Sequence, residues 1–166
     1  PDRLGDPLSW KKPQRVFVNS MSDLFHEDVP DEFIDKVFAV MALAGQHTFQ
    51  ILTKRADRMR AYMSAQDIGL RWLVQLNVAP ERHRDEWAYQ EGDAVRWTRE
   101  GLPNVWLGVS VENQHFTSRL TWLLDTPAVV RFVSIEPQLG PVDLTDIDIV
   151  SAEGNRQRAS LNALTG

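Results

Sequence analysis

The chain contains no cysteine among its 166 residues. Disulfide bonds, thiolate metal sites and iron–sulfur clusters held by this chain alone are thereby excluded, because each of them requires cysteine sulfur. Proteins without disulfides are typical of the reducing cytosol, so we expect a cytoplasmic protein.

Long apolar runs and an excess of positive charge are also missing. No run approaches the roughly 20 apolar residues of a membrane-spanning helix, and no secretory leader is recognisable. A formal charge of -5 argues against nucleic-acid binding by overall attraction, which requires many Lys and Arg residues on one face. We therefore expect a soluble protein without a membrane partner, and net charge gives nucleic-acid binding no support.

Three site motifs are absent as well. The sequence has no GxGxxG, no P-loop and no GxSxG, so dinucleotide-binding, P-loop phosphate-binding and serine-hydrolase functions have no support.

The composition that is present, 43% hydrophobic and 25% charged, is sufficient for one ordinary core. A chain of this length predicts a single domain.

The sequence begins with Pro1, and its first residues, "PDRLGDPLSWKKP", resemble the middle of a protein, so we expect a fragment of a longer chain.

Five short segments are rich in β-branched and aromatic residues and predict strands. They are "RVFVNS" (15–20), "TFQILTK" (48–54), "NVWLGVSV" (104–111), "VVRFVSI" (129–135) and "IDIVSA" (147–152). Several are almost continuously apolar, which is typical of strands buried on both faces of a parallel sheet.

Helical periodicity separates the predicted strands. It follows Pro30, covers residues 55–64 and returns from about Gln114 to Asp125. This alternation predicts an α/β fold in which the five strands are parallel neighbours in sequence order.

Residues 68–100 interrupt the alternation and predict a helical insertion. The segment contains Trp72, Trp87 and Trp97. We favour a peripheral helical decoration that packs a small core of its own. The alternative is a lid whose Trp and Arg side chains stack on a planar substrate.

Polar side chains follow every predicted strand at its carboxyl end. They are Asn19, Ser20 and Asp23 after the first strand, Thr53, Lys54 and Arg55 after the second, Ser110, Glu112 and Asn113 after the third, Ser134 and Glu136 after the fourth, and Ser151 and Glu153 after the fifth. The carboxyl ends of parallel strands meet at one edge, where α/β proteins bind ligands. Helix capping is a sufficient explanation for Ser22, Asn113 and Thr126. Capping explains Lys54, Glu112 and Glu136 less well, so we expect these charged residues to line a site.

A metal site is a weaker hypothesis for the segment after the first strand. Asp23, His26 and Asp28 lie close together in the sequence, but their spacing matches no strong zinc pattern. A solvated turn explains them better, and we assign no metal ligands.

Four segments together carry a resemblance to a known family. They are "FVNSMSDLFHEDVPDEFI", "TFQILTKRADRM", "LPNVWLGVSVENQ" and "VRFVSIEPQLGPVDL". Over most of residues 8–150 the chain resembles the phage-protein family of unknown function often labelled gp thirty-seven/sixty-eight, whose members resemble radical-SAM partial barrels. The resemblance implies a truncated parallel β/α barrel. It also implies an upstream strand with cysteines for a [4Fe–4S] cluster, a segment that this chain lacks. Where the family has "GGESG" this chain has "SAEGN", and the tail at residues 151–166 departs from the family.

The same resemblance implies roles for residues at the strand ends. Asn19, Ser20 and Asp23 would bind the amino group of S-adenosylmethionine, and Ser110 and Glu112 would bind its carboxylate and ribose. Glu153 is taken as a further cofactor-binding residue. Lys54 and Arg55 would bind a carboxylate or phosphate, and we take them, with Glu136, as the candidate catalytic residues.

The functional hypothesis is therefore a SAM-dependent enzyme of unknown substrate. We predict that this chain alone has no radical activity, because it lacks thiolates for the cluster. Two alternatives stay open. One is a non-catalytic module that binds a nucleotide-like molecule, and the other is a metal-assisted hydrolase in which Asp23, His26, Glu112 and Glu136 converge on one metal.

Overall fold

The computed structural model describes residues 3–76 and 92–145 with their side chains, and the backbone of residue 91 and of residues 147–150 and 156–159. No helix in this part of the chain combines the length and apolar character needed to cross a bilayer.

A four-stranded parallel sheet organises the fold. Its strands are β1 (Arg15–Val18), β2 (Thr48–Thr53), β3 (Val105–Ser110) and β4 (Val130–Ser134), and they are adjacent in sequence order. The prediction of parallel neighbours is confirmed for these four strands, including the pair β3 and β4. Their carboxyl ends consequently share one edge of the sheet.

The predicted fifth strand does not join this sheet. Strand β5 (Ile147–Val150) pairs antiparallel with a strand that the sequence pattern did not predict, β6 (Arg156–Ala159). The prediction of a fifth parallel neighbour was therefore wrong. Only residues 151–155 separate β5 from β6, and a connection this short joins antiparallel strands, whereas a parallel crossover needs a dozen or more residues.

In the described part of the chain, five α-helices accompany the strands. They are α1 (Asp31–Leu43), α2 (Ala56–Met63), α3 (Ile68–Leu76), α4 (Glu91–Glu100) and α5 (Ser118–Leu124). Helix α1 begins after Pro30 with Asp31 and Glu32 in its first turn, where the helix dipole favours negative charge.

The segment predicted as one helix from 114 to 125 consists of a 3-10 turn, Gln114–Phe116, followed by α5. Asn113 caps the turn, because its side-chain oxygen accepts a hydrogen bond from the backbone N–H of His115 at 2.9 Å. The prediction that Asn113 is a cap is therefore confirmed.

The core contains a cluster of aromatic residues from α1, α2, α3 and α4. Phe38 and Trp72 are fully buried and stack with ring centroids 4.6 Å apart. The buried Tyr62 hydroxyl donates to Asp35 and accepts from Trp72 Nε1. Trp97 packs 6.5 Å from Trp72. Helices α3 and α4 thus contribute to the same core as α1 and α2.

The segment predicted as an insertion, residues 68–100, includes α3 and α4, and Trp87 lies outside the described residues. Because Trp72 and Trp97 are buried in the common core, they are not presented to a ligand as the lid hypothesis would require.

One face of the sheet is less covered than the other. In β2, Phe49, Ile51 and Thr53 are buried, while the alternate residues are half-buried. The less covered face includes Phe17, whose exposure is 45%. On this face the Phe132 ring lies directly over Gly108, where a Cβ atom would stand 2.5 Å from the ring.

Candidate functional site

The loop after β1 turns sharply and brings Asp23 back to the carboxyl edge of the sheet. Asn19 has a φ of 58°, in the left-handed region that Asn tolerates better than most residues, and its carbonyl accepts from Ser22 N at 3.1 Å. This turn places Asp23 beside the end of β2.

Asp23 is the acceptor for donors from two segments. Its carboxylate accepts from the Thr53 hydroxyl at 2.7 Å, the backbone N–H of Lys54 at 3.1 Å, the Arg55 guanidinium at 3.0 Å and the backbone N–H of Phe25 at 2.9 Å. Burial raises the pKa of Asp23, but these hydrogen bonds outweigh it, so the pKa lies below its ordinary value. Asp23 is therefore ionised at neutral pH and fixes the start of α2 against the β1 loop.

Glu112 is a buried carboxylate between two cations. Its exposure is 3%, and its oxygens lie 2.5 Å from Lys54 Nζ and 2.8 Å from the Arg119 guanidinium. Burial raises the pKa of Glu112. The hydrogen bond from Lys54, the hydrogen bond from the Glu112 backbone N–H and the positive charge of Arg119 lower this pKa by more, so the pKa lies below its ordinary value. A buried carboxylate needs such partners to remain charged.

Arg119, on α5, is a functional candidate that sequence reasoning did not identify. Its guanidinium also donates to the Ser110 carbonyl at 2.7 Å and lies 4.3 Å from the Phe116 ring centroid. No local signal distinguishes it from an ordinary solvated arginine on an amphipathic helix. We call Asp23, Lys54, Arg55, Glu112 and Arg119 the strand-end cluster.

Other predicted site residues lie outside these contacts. Asn19 and Ser20 are exposed, and Asn19 lines a separate cavity beside α1. Glu136 is exposed and makes no ion pair with a described residue. Ser110 is buried at the end of β3. Glu153 lies outside the described residues.

The segment proposed as a metal site forms a turn. His26 Nδ1 accepts from the backbone N–H of Asp28 at 3.3 Å, and the Asp28 side chain is 87% exposed. Among the residues with described side chains, no three His, Asp or Glu form a group that could hold a metal ion. The hydrolase alternative therefore has no support from a ligand cluster of Asp23, His26, Glu112 and Glu136.

The electrostatics of the strand-end cluster favour an anion. Three cations meet two carboxylates, so these five side chains together carry one excess positive charge. The carboxylates are largely buried, whereas the Lys54 and Arg55 side chains are 54% and 37% exposed. A ligand approaching this edge would meet the cations first.

Comparison with known proteins gives a family and no function. A family model described as "Protein of unknown function (DUF5131)" matches residues 1–160. No curated protein and no solved structure matches the chain. Because the match covers nearly the whole sequence, the chain belongs to this family of proteins of unknown function.

Proposed function

We propose that the strand-end cluster binds a small molecule through an anionic group, which Lys54 and Arg55 contact. The observation that carries this proposal is the arrangement around Lys54, whose ammonium group is held by the buried Glu112 while half of its side chain faces solvent. Arg55 is held in the same way by Asp23. The carboxylates thus fix the positions of both cations, and both cations stay accessible to solvent. A fixed and accessible cation is suitable for binding an anion.

The start of α2 adds to this proposal. The helix begins at Ala56, directly after Arg55, and no side chain caps its first turn. The backbone N–H groups of a helix's first turn and the positive end of its dipole favour a phosphate or carboxylate at this position, although Asp57 already places one negative charge in this turn.

S-adenosylmethionine is the ligand that we propose on the basis of the family resemblance, with its carboxylate on Lys54 and Arg55. In this assignment Asp23 and Glu112 act mainly by positioning the two cations, because their carboxylates already accept from internal donors. The proposed contacts of Asn19, Ser20, Ser110 and Glu153 with the cofactor, and a catalytic role for Glu136, stay predictions. A nucleotide phosphate is the alternative ligand, for a non-catalytic module.

The [4Fe–4S] cluster of a radical-SAM-like enzyme does not fit this chain, which has no cysteine to hold it. This chain alone therefore has no residues to hold the cluster for a radical step, and a barrel with radical chemistry stays a proposal for a longer protein. Anaerobic expression of the complete reading frame, followed by assays for an iron–sulfur chromophore and for SAM cleavage, tests it.

Calorimetric titration of the chain with S-adenosylmethionine and with ATP tests the binding proposal. We expect binding of one of them, and a loss of about tenfold or more in affinity for Lys54→Ala, because a hydrogen bond to a charged group contributes roughly 1.5–3 kcal/mol. Lys36→Ala is the matched control, since among the described residues Lys36 pairs with the exposed Glu32 on α1 and with no other carboxylate.

The two titrations also distinguish between the two proposed ligands. Binding of S-adenosylmethionine supports the cofactor assignment, and binding of ATP alone supports the nucleotide-binding module. Equal affinity of wild type and Lys54→Ala would remove Lys54 from the site, and no binding of either compound contradicts the proposal.

A further inference from the structure

Thr53 is the last residue of β2, and its side chain is buried, with an exposure of 2%. The other buried residues of this strand, Phe49 and Ile51, are apolar. Valine has nearly the shape of threonine and lacks only the hydroxyl, so burial alone does not require a threonine here. A buried hydroxyl needs hydrogen-bond partners, and the partners of this one indicate its role.

The Thr53 hydroxyl makes hydrogen bonds both as a donor and as an acceptor. It donates to the Asp23 carboxylate, whose two oxygens lie 2.7 and 2.9 Å from the hydroxyl oxygen, and it accepts from the backbone N–H of Arg55 at 2.9 Å. Asp23 in turn accepts from the Arg55 guanidinium at 3.0 Å. The hydroxyl therefore contacts the backbone of Arg55 directly and reaches the guanidinium of Arg55 through one carboxylate.

The two exposed cations of the strand-end cluster depend on Thr53 to different degrees. Among the described residues, the Arg55 side chain forms an ion pair with Asp23 and with no other carboxylate. The Lys54 ammonium group is held by Glu112, which has no hydrogen bond with Thr53. Loss of the Thr53 hydroxyl should therefore disturb Arg55 and leave the Lys54 ammonium group in place.

We propose that Thr53 is a positioning residue of the strand-end cluster, whose hydroxyl orients the Arg55 guanidinium toward the anionic group of the ligand. This role rests on the anion binding proposed above. Thr53 is buried and uncharged, so it acts through Asp23 and Arg55 and does not touch the ligand. A guanidinium that is already held in one orientation loses less conformational entropy when it binds an anion, which raises the affinity.

The variants Thr53→Val and Thr53→Ser separate the hydroxyl from the packing of the side chain, because Val keeps the methyl group and Ser keeps the hydroxyl. NMR relaxation of the Arg55 Nε–H group measures the order of the guanidinium. Calorimetry measures the affinity for whichever of S-adenosylmethionine and ATP the wild type binds. Thr53→Val should lower the order of the Arg55 Nε–H group and reduce the affinity by roughly three- to tenfold, because the contribution of a hydrogen bond is lost.

Thr53→Ser should keep the order of the Arg55 Nε–H group and stay within about twofold of the wild-type affinity, because the hydrogen bonds of the hydroxyl remain. Thr48→Val is the matched control, since Thr48 lies at the opposite end of β2 from Thr53. This variant should resemble wild type in both measurements.

Three results would overturn the role of Thr53. The Arg55 Nε–H group could be as ordered in Thr53→Val as in wild type, or Thr53→Ser could lose as much affinity as Thr53→Val, which would mean that packing matters and the hydroxyl does not. Lys54→Ala could lose affinity while Thr53→Val binds like wild type, in which case the proposed anion binding stands and only the role of Thr53 falls. If wild type binds neither compound, the proposed function fails and the role of Thr53 fails with it.

Discussion

Glu112 is the residue on which the geometry of the strand-end cluster depends. It is buried and ionised, and it contacts both Lys54 from the end of β2 and Arg119 from α5. A carboxylate in this position has lost most of its hydration, and the two cations compensate for that loss. Without its charge, Lys54 would lose the ion pair that positions its ammonium group, whereas Arg119 would keep its hydrogen bond to the Ser110 carbonyl.

The charge of Glu112 predicts a pH dependence of stability. Its pKa is lower in the folded protein than the ordinary value of 4.5. A lowered carboxyl pKa contributes stability above the unfolded pKa, and this contribution is lost as the pH falls from about 4.5 through the folded pKa. Glu112→Gln should therefore be less stable than wild type by roughly 1.5–3 kcal/mol at pH 7, and the difference should shrink below pH 4.5.

Urea unfolding at a series of pH values from 7 to 3 measures this difference. The control is Glu27→Gln, at an exposed position in the turn before α1, which should change stability by less than about 0.5 kcal/mol. A Glu112→Gln effect that is independent of pH would indicate that the shape of the side chain matters and its charge does not.

At the scale of the elements, α3 and α4 pack against each other at Gly69 without room for a side chain. A Cβ atom on Gly69 would stand 2.0 Å from the Ala94 carbonyl oxygen, which is backbone and cannot rotate away. The Gly69 N–H also donates to the Thr98 hydroxyl at 3.1 Å. The absence of a side chain at this one position therefore permits the packing of the two helices.

Gly69→Ala should consequently destabilise the protein by about 1–3 kcal/mol, because overpacking forces the helices apart. Gly92, near the start of α4, provides the matched control, since a Cβ atom there meets nothing within 4 Å. Gly92→Ala should be neutral or stabilising by up to about 1 kcal/mol, because Ala is the better helix former. Thermal unfolding of both variants checks the prediction, and equal melting temperatures would contradict it.

At the scale of the whole molecule, the helices and the parallel sheet share one hydrophobic core. The stacked pair of Phe38 from α1 and Trp72 from α3 joins the segment at 68–100 to the first helix. This contact argues that α3 and α4 do not have an independent core of the kind that the sequence suggested for an insertion.

A shared core predicts a single cooperative unfolding transition. Urea curves followed by tryptophan fluorescence and by far-UV circular dichroism should coincide. Phe38→Ala should lower the midpoints of both curves equally. The free energy of unfolding should fall by about 3–5 kcal/mol, because a buried aromatic side chain is removed. Two separated transitions, only one of which responds to Phe38→Ala, would show that α3 and α4 unfold on their own.

The sequence by itself determined the strands of the parallel sheet, their order and the Asn113 cap. Continuous apolar runs, long crossovers and a capping side chain are local patterns, and local physics is sufficient to interpret them. The positions of Lys54 and Glu112 at one edge also followed from the parallel topology. The bounds of α1 and α2 were predicted to within a few residues, whereas α3 and α4 were predicted only as a helical insertion without separate bounds, and a 3-10 turn precedes α5.

Only the tertiary structure decided which of these side chains meet. It brought Asp23 to Thr53 and Arg55, about 30 positions along the chain, and added Arg119 to Glu112. It also paired β5 with β6 instead of β4. Ion pairs and strand pairing depend on distances through space, which are set by the packing of the whole core. These distances cannot be predicted from the type of a side chain and its neighbours in the sequence.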